Sequence, residues 1–364
     1  MQGLIFTTKL GRLIFRKFVA LFGALTVSLI AIVCVIDYFE NLGAYILFQP
    51  TSYELWIQYQ LNFILYLFDF LTPLITFITT MLLIRSLTKH GELTAMLSGG
   101  LTIRSIHFKI LQIAFLISIV TFLLGAFVNP HANYQREKFK IKYIDGDPEI
   151  SDHFHLMISD TSKIYFERYD YEEAKGNMFA YEEFKESQLT KIVKAESAKW
   201  NHLKNYWELK HYSTRIFDGT NEIITSGDYL TLSIPFGQLE IHEVLKGLES
   251  YTLRELISAA HDTRQQSVRQ SKEFIFFLTK KVTFPFAAPI FCLLAISFSN
   301  GTNKKNLVTR IVIGFFFCFA YWACLQYSLS LYRSSINPFI ALTVPNLLFL
   351  LAALIQLRLS THNS

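Results

Sequence analysis

The chain has 364 residues, of which 51% are hydrophobic and 17% are charged. Soluble domains normally carry about 25% charged residues, so this composition excludes a purely soluble protein and predicts that much of the chain faces lipid. The formal net charge is +5, and the Lys and Arg residues gather beside apolar runs. Membrane orientation accounts for such a distribution, so we expect no nucleic-acid partner.

Six apolar runs are long enough to cross a bilayer, which takes about 20 residues in a helix. They lie at 18–36, 61–84, 110–128, 274–298, 307–331 and 338–357. The first run is too long for the apolar core of a signal peptide and lacks a clear cleavage site, so we interpret it as a retained anchor. Three spans therefore precede, and three follow, a long polar segment.

Basic residues predict the orientation of the spans, because Lys and Arg accumulate in cytoplasmic loops. One side of the predicted spans carries Lys9, Arg12, Arg16, Lys17, Arg85, Lys89, Arg104, Lys109, Lys304, Lys305 and Arg358. The two short loops on the other side contain only Arg333. We predict that both termini are cytoplasmic and that the polar segment 129–273 is periplasmic.

Within the polar segment, apolar residues alternate with period two between turn residues, which is typical of antiparallel strands with one buried face. The predicted strands are 153–159, 163–169, 177–183, 189–195, 206–211 and 229–234. Short strands in this number predict an antiparallel sandwich or jelly roll. Helical spacing returns at 251–264, where Thr252 and Glu255 have the spacing of a capping box.

The predicted fold class is an α+β membrane protein with six transmembrane helices (3 + 3) and an inserted periplasmic β-jellyroll domain. Its domains are an N-terminal membrane half at 1–128, the β-domain with its return helix at 129–273, and a C-terminal membrane half at 274–364. No GxxxxGK[ST], HExxH or GxSxG motif occurs, and the four cysteines lack CxxC spacing. We therefore expect a non-catalytic chain that binds no metal or cofactor itself.

A short amphipathic helix is predicted near 91–98, between the second and third spans, and it carries Glu92, Leu93 and Met96. Gly99 and Gly100 end it. A cytoplasmic helix of this kind can dock into a soluble motor protein, with the Glu92 carboxylate paired to an Arg or Lys there. The alternative is an ordinary solvated connector.

Ionisable residues at membrane depth are the second group of candidates, because such charges are costly unless they face water, a partner or a ligand. Asp69 lies in the middle of the second span, where it either relays protons or pairs with a Lys of another helix. Lys280 and Lys281 lie a third of the way into the fourth span, and Arg136 follows the third. These cations either attract an anionic lipid head group or have no such role: the lysines then extend to the outer interface, and Arg136 is an ordinary loop charge.

The order of these features resembles the LptF/LptG family, the permease subunits of the lipopolysaccharide exporter. The 3 + 3 plan around a β-domain is the plan of that family, and residues 91–100 (GELTAMLSGG) look like its coupling-helix motif. Further similar segments are Pro73, 127–130 (FVNP), 164–169 (IYFERY), 198–200 (AKW), Pro285 and 345–346 (PN). The end of the first span, 35–42 (VIDYFENL), looks more like LptG than LptF.

The resemblance implies an ABC-transporter permease that extracts lipopolysaccharide from the inner membrane and passes it to a periplasmic bridge. Its partners would be an LptB-like ATPase dimer, which binds ATP and Mg²⁺, a paralogous LptF-like permease, and LptC-like and bridge proteins. Glu92, with Leu93 and Met96, would contact the ATPase.

One departure from the family concerns the lipid contact. LptG members often carry lysines near the end of the first span, whereas this chain has Cys34, Glu40 and Asn41 there. Either Arg136, Lys280 and Lys281 contact the lipid phosphates instead, or the lipid has a less charged or differently substituted head group.

Two other functions remain open at this stage. A mechanotransmission or lipoprotein-release permease would also couple to an ATPase, but such proteins usually have four spans. A non-transport scaffold or sensor would need no ATPase, and would leave the charges in the spans unexplained.

Overall fold

The computed structural model describes residues 9–144, 150–159, 161–170, 174–185, 188–201, 204–218, 221–234, 248–261, 268–299, 307–333 and 336–362. Lys304 and Lys305, used above to predict orientation, lie outside them. Within these ranges, six helices are long and apolar enough to cross a membrane, at Lys9–Glu40, Glu54–Lys89, Ile103–Lys140, Phe274–Ser299, Thr309–Ser328 and Pro338–Arg358. They confirm the predicted spans.

The N-terminal half is a series of helices with short connections. They are α1 (Lys9–Glu40), α2 (Leu42–Phe48), α3 (Leu61–Lys89), α4 (Glu92–Ser98), α5 (Ile103–Leu123) and α6 (Asn129–Tyr143). Short π-helical segments lead into α3 at Glu54–Gln60 and join α5 to α6 at Leu124–Val128.

Helix α6 carries the third span further than the sequence predicts. Pro130 lies in the first turn of α6, directly after the π-helical segment, and its missing N–H leaves a preceding carbonyl without a helical donor. Phe139 and Tyr143 are buried against Tyr45 and Tyr59, which holds α6 against α2 and the π-helical entry to α3. The segment between membrane and sheet is therefore helical, although it is polar in sequence.

The middle of the chain forms an antiparallel sheet in which each predicted strand overlaps one observed strand. Its described strands are β1 (Ile150–Ser159), β2 (Ser162–Asp170), β3 (Lys175–Lys185), β4 (Gln188–Asn201), β5 (Tyr206–Asp218) and β6 (Asn221–Leu232). They pair in chain order, β1-β2-β3-β4-β5-β6. This up-and-down order differs from the Greek-key order that jelly rolls typically have, because each described strand pairs with its neighbour in the chain.

The sheet is strongly curved around its own apolar face. The ring centroids of Phe166 in β2 and Trp207 in β5 are 5.4 Å apart. In a flat sheet these strands would be separated by three spacings of about 4.8 Å, or about 14 Å. Both side chains are fully buried, so the sheet closes over a core that one flat face could not cover.

The bending is accompanied by unusual backbone angles in the middle of two strands. Met178 in β3 has φ 51° and His211 in β5 has φ 48°, values that side chains other than glycine rarely adopt. Strand pairing resumes in the same register on both sides of Met178, between Asn177↔Ser197 and Phe179↔Ala195. The strand is thus kinked without a change of register, at a conformational cost that the packing of the core must offset.

The chain returns to the membrane through α7 (Leu253–His261) and α8 (Val268–Thr283). The predicted capping box is present: the Thr252 N–H donates to Glu255 Oε2 at 2.7 Å, and the Glu255 N–H donates to Thr252 Oγ1 at 3.3 Å. The predicted helix at 251–264 is confirmed as far as His261, and its last three residues lie outside the described ranges.

The C-terminal half continues from α8 through a 3₁₀ turn at Phe284–Phe286. It then forms α9 (Ala287–Ser299), α10 (Leu307–Arg333) and α11 (Pro338–His362). Helix α9 packs against α3, α5 and α11.

Burial differs sharply among the membrane helices. In the span that contains α3, 67% of the residues in the most apolar stretch are buried. In the span that contains α9, 61% of the corresponding residues are buried. The corresponding values are 6% for α1 and 17% for α10. Most of the apolar surface of α1 and α10 is therefore left for lipid or another protein to cover.

Candidate functional site

A cavity of about 200 Å³ lies in the membrane part, on the side of the sheet. Helices α3, α8, α10 and α11, together with the α5–α6 junction, surround it. Its polar lining consists of Tyr66, Asp69, Thr121, Asn129, Asn133, Glu249, Lys280, Lys281 and Gln326, and most of the remaining lining is aromatic or aliphatic. We call it the polar cavity. Three of the four ionisable residues singled out in the spans, Asp69, Lys280 and Lys281, line it together.

Lys280 is paired with a carboxylate from the segment that follows the sheet. Its Nζ lies 2.8 Å from Glu249 Oε1, in the short turn Leu248–Ser250. The Lys280 ammonium lowers the pKa of the Glu249 carboxyl from its ordinary value. Asn133 Nδ2 donates to the Glu249 carbonyl at 3.4 Å. Glu249 thus connects the helix that enters the sheet domain, α6, with the helix that follows it, α8.

Lys281 and Asp69 each find a partner at the α5–α6 junction. Lys281 Nζ donates to the carbonyl of Gly125 at 3.0 Å, in the π-helical segment where the helical hydrogen-bond pattern shifts. Asn129 Nδ2 donates to Asp69 Oδ2 at 3.2 Å. Both lysines also interact electrostatically with Asp69. The carboxylate at mid-span therefore accepts a hydrogen bond from an amide and is attracted by two ammonium groups of another helix.

Arg136 lies behind the cavity wall. Its guanidinium stacks 4.0 Å from the ring centroid of Tyr66, and its Nη2 lies 2.8 Å from Glu137 Oε1. The side chain is 8% exposed. Arg136 therefore reaches the polar cavity through Tyr66 and is already balanced by Glu137.

Several buried polar atoms around the cavity have no hydrogen-bond partner among the described residues. They are Asn129 Oδ1, Asn133 Oδ1, Arg136 Nε and Ser250 Oγ. A buried polar group without a partner costs about 1–3 kcal/mol. Two of these atoms, Asn129 Oδ1 and Asn133 Oδ1, belong to side chains that line the cavity, so its wall contains acceptors without a partner as well as ammonium groups.

Helix α4 lies at the opposite end of the bundle, beside the start of α1. Lys17 Nζ donates to both carboxylate oxygens of Glu92, at 2.5 and 2.6 Å. The helix begins after Gly91, whose φ of 69° suits glycine best. Glu92 remains about one-third exposed, so its carboxylate is accessible while held by Lys17.

The apolar residues of α4 divide between the bundle and the surface. Met96 is buried in the same cluster as Ile14 and Phe18 of α1, with Leu93 partly buried beside it. Leu97 is 40% exposed. Met96 therefore anchors α4 to its own chain. The accessible surface of the helix consists of Glu92, part of Leu93, Thr94, Ala95, Leu97 and Ser98.

Sequence reasoning missed three residues of these sites. Lys17 was used only to predict the membrane orientation of the spans, and its partner Glu92 lies 75 positions further along the chain. Glu249 belongs to a polar stretch in which nothing distinguishes it from surface residues. Asn129 lies in the segment 127–130, which was noted only for its resemblance to the family, and its position directly after the third apolar run was a further signal.

The family model described as "Lipopolysaccharide export system permease LptF/LptG" matches residues 12–359. The matched range includes both membrane halves, the sheet, α4 and the polar cavity. This family model covers LptF and LptG together, so the greater similarity to LptG remains a prediction. A search of curated protein sequences gives no match.

Proposed function

Because the chain belongs to the LptF/LptG family of lipopolysaccharide export permeases, we propose that it is one half of an ABC transporter driven by a separate ATPase. The family assigns it as a permease subunit and, with its six apolar helices, as a multi-pass protein of the inner membrane. The observation that carries the proposal is the match over residues 12–359, which includes the sheet as well as both membrane halves.

The proposed orientation places both termini and α4 in the cytoplasm and the sheet in the periplasm. Basic residues at the start of α1 and in the connection from α3 to α5 support it. The Lys17–Glu92 ion pair places α4 beside the start of α1, at the same end of the bundle.

Helix α4 is proposed to couple the permease to an LptB-like ATPase dimer, which would bind ATP and Mg²⁺. Glu92 and Leu93 would meet the ATPase, and Met96 would carry the movement of α4 into the bundle through its contacts with α1. The accessible carboxylate supports this role, because a basic group of a partner can compete with Lys17 for it.

The open apolar faces of α1 and α10 are proposed to meet the paralogous LptF-like permease and the lipid between the two subunits. Lys280 and Lys281 are the proposed contacts for phosphate groups of lipopolysaccharide, and Arg136 is proposed to support them from behind Tyr66. The lipid would then pass along the sheet to LptC-like and bridge proteins.

The composition of the complex tests the proposal. The full chain, tagged at its C-terminus, is purified in mild detergent, and bound proteins and lipids are identified by mass spectrometry. We expect an ATP-binding subunit, a second six-span permease and lipid A. An ATPase without the second permease and glycolipid would instead favour a mechanotransmission permease, and a chain that purifies alone would contradict both.

A pair of variants tests the role of α4. Glu92→Lys reverses the charge offered to the ATPase, whereas Lys17→Gln removes the same internal ion pair but leaves the carboxylate in place. If Glu92 couples to the ATPase, only Glu92→Lys abolishes complementation of growth and export. Equal defects in the two variants would mean that the internal ion pair is what matters.

A further inference from the structure

The polar cavity is electrically balanced. Among its described lining residues, the ammonium groups of Lys280 and Lys281 face the carboxylates of Asp69 and Glu249. Arg136, behind the wall, is neutralised by Glu137. A ligand that carries only negative charge would face the carboxylates of Asp69 and Glu249 as well as the two ammonium groups, and like charges repel each other at short range.

The cavity also offers hydrogen-bond acceptors that its own residues do not use. Asn129 Oδ1 and Asn133 Oδ1 are buried and have no partner among the described residues. Both side chains belong to α6: the Asn129 amide also donates to the Asp69 carboxylate, and the Asn133 amide donates to the backbone carbonyl of Glu249. A primary ammonium group has three N–H donors and no acceptor, so it matches this set of oxygens.

The apolar wall of the cavity reaches the lipid-facing surface. Phe70 of α3 and Trp322 of α10 both line the cavity and are each 38% exposed. Their rings meet edge to face, with centroids 6.0 Å apart. A head group can therefore occupy the cavity while its acyl chains remain in the membrane beside α3 and α10.

We propose that the polar cavity binds a lipid head group in which a phosphate ester and a protonated primary amine are joined, as in phosphoethanolamine. The phosphate is held by Lys280 and Lys281, and the amine by Asp69, Glu249 and the free oxygens of Asn129 and Asn133. The Lys280–Glu249 ion pair is exchanged for ion pairs with the ligand, so no charge is left unpaired. The inference deepens the proposed lipid contact of Lys280 and Lys281 and rests on it.

Two lipids carry this chemistry: phosphatidylethanolamine of the membrane and a glycolipid whose phosphate bears ethanolamine. The purified full chain in detergent is incubated with equal amounts of phosphatidylethanolamine, phosphatidylglycerol and phosphatidylcholine, and the retained lipid is measured by native mass spectrometry. We expect phosphatidylethanolamine to be retained at least about tenfold over each of the others, the difference made by one charge-assisted hydrogen bond. Retention of phosphatidylglycerol or phosphatidylcholine to the same extent overturns the proposal.

A double variant tests the site itself. Asp69→Asn with Lys281→Gln removes one charge of each sign, so no new unpaired charge is created, and the selectivity should disappear. Glu182→Gln, in the sheet, is the matched control and should retain it. Undiminished selectivity in the double variant overturns the site assignment. If the double variant does not fold, the lipid selectivity of the wild-type chain still tests the proposed head-group chemistry.

Competition between phosphatidylethanolamine and lipid A, with and without a phosphoethanolamine substituent, identifies which of the two lipids the polar cavity binds. Displacement by substituted lipid A alone assigns the site to the exported glycolipid, and displacement by neither form assigns it to the membrane phospholipid. Equal displacement by both forms overturns the requirement for an amine. Recovery of the ATPase with the tagged chain is a separate readout, so failure of lipid selectivity is distinguishable from failure of the proposed function.

Discussion

Helices α3 and α10 approach each other closely at Gly314 of α10. A Cβ atom built there would overlap the ring of Phe77 in α3. Phe77 is fully buried in a cluster with Met81 and Phe291, so its ring has little room to move. Overpacking of this kind typically costs about 1–3 kcal/mol, and we predict a loss of that size for Gly314→Ala.

Gly23 in α1 provides the matched control, because a Cβ there meets nothing within 4 Å. Gly23→Ala should leave stability unchanged or raise it by up to about 1 kcal/mol, since alanine favours helix more than glycine. Unfolding of the full chain in mixed micelles, followed by tryptophan fluorescence, measures both variants under one condition.

A compensating substitution separates overpacking from other effects of alanine. Phe77→Leu removes the ring that the added methyl group of Gly314→Ala would meet, so the double variant should be more stable than the two single losses together predict. We expect a coupling of about 1–3 kcal/mol, within the usual range for residues in contact. Additive losses, or equal behaviour of Gly314→Ala and Gly23→Ala, would refute the reasoning.

Three further predictions concern single contacts. Lys280 holds the pKa of the Glu249 carboxyl below its ordinary value of 4.5, so the stability from this pair is present above that value and is lost as pH falls through the lowered pKa. The difference in melting temperature between wild type and Glu249→Gln should therefore shrink in acid, and a widening difference would contradict the ion pair. Met178 has a positive φ that glycine adopts without strain. In chemical unfolding, Met178→Gly should therefore lose about 1 kcal/mol less stability than Lys194→Gly, and equal losses would argue against backbone strain. Thr252→Ala removes the capping box and should cost about 1 kcal/mol, visible as faster amide hydrogen exchange in α7, while unchanged exchange there would count against the cap.

Local patterns predicted most of the architecture. The spans follow from hydropathy, which depends only on neighbouring residues, and the strands follow from alternation with one buried face. Helix α6 was missed because its sequence is polar, with contacts supplied by α2 and the entry to α3. The curvature of the sheet was also unpredictable, since Met178 and His211 are not residues that usually adopt positive φ.

The candidate site was predictable only in part. Asp69, Lys280 and Lys281 stood out because charge is rare in a span. Their convergence depends on how α3 and α8 pack, which no local pattern encodes. Likewise, the spacing of Met96 fits a partner-facing residue as well as a buried one, and the contacts with α1 place it inside.

The near-continuous third span has a mechanical consequence. From Ile103 to Lys140 it is helical over 38 residues, which corresponds to a rod of about 57 Å. One end follows α4 directly, and the other leads toward β1. A tilt of about 5° at the α4 end would displace the far end by about 5 Å, given that length. The π-helical segment Leu124–Val128 interrupts the regular pattern between the two, and it is therefore the point at which this lever can bend.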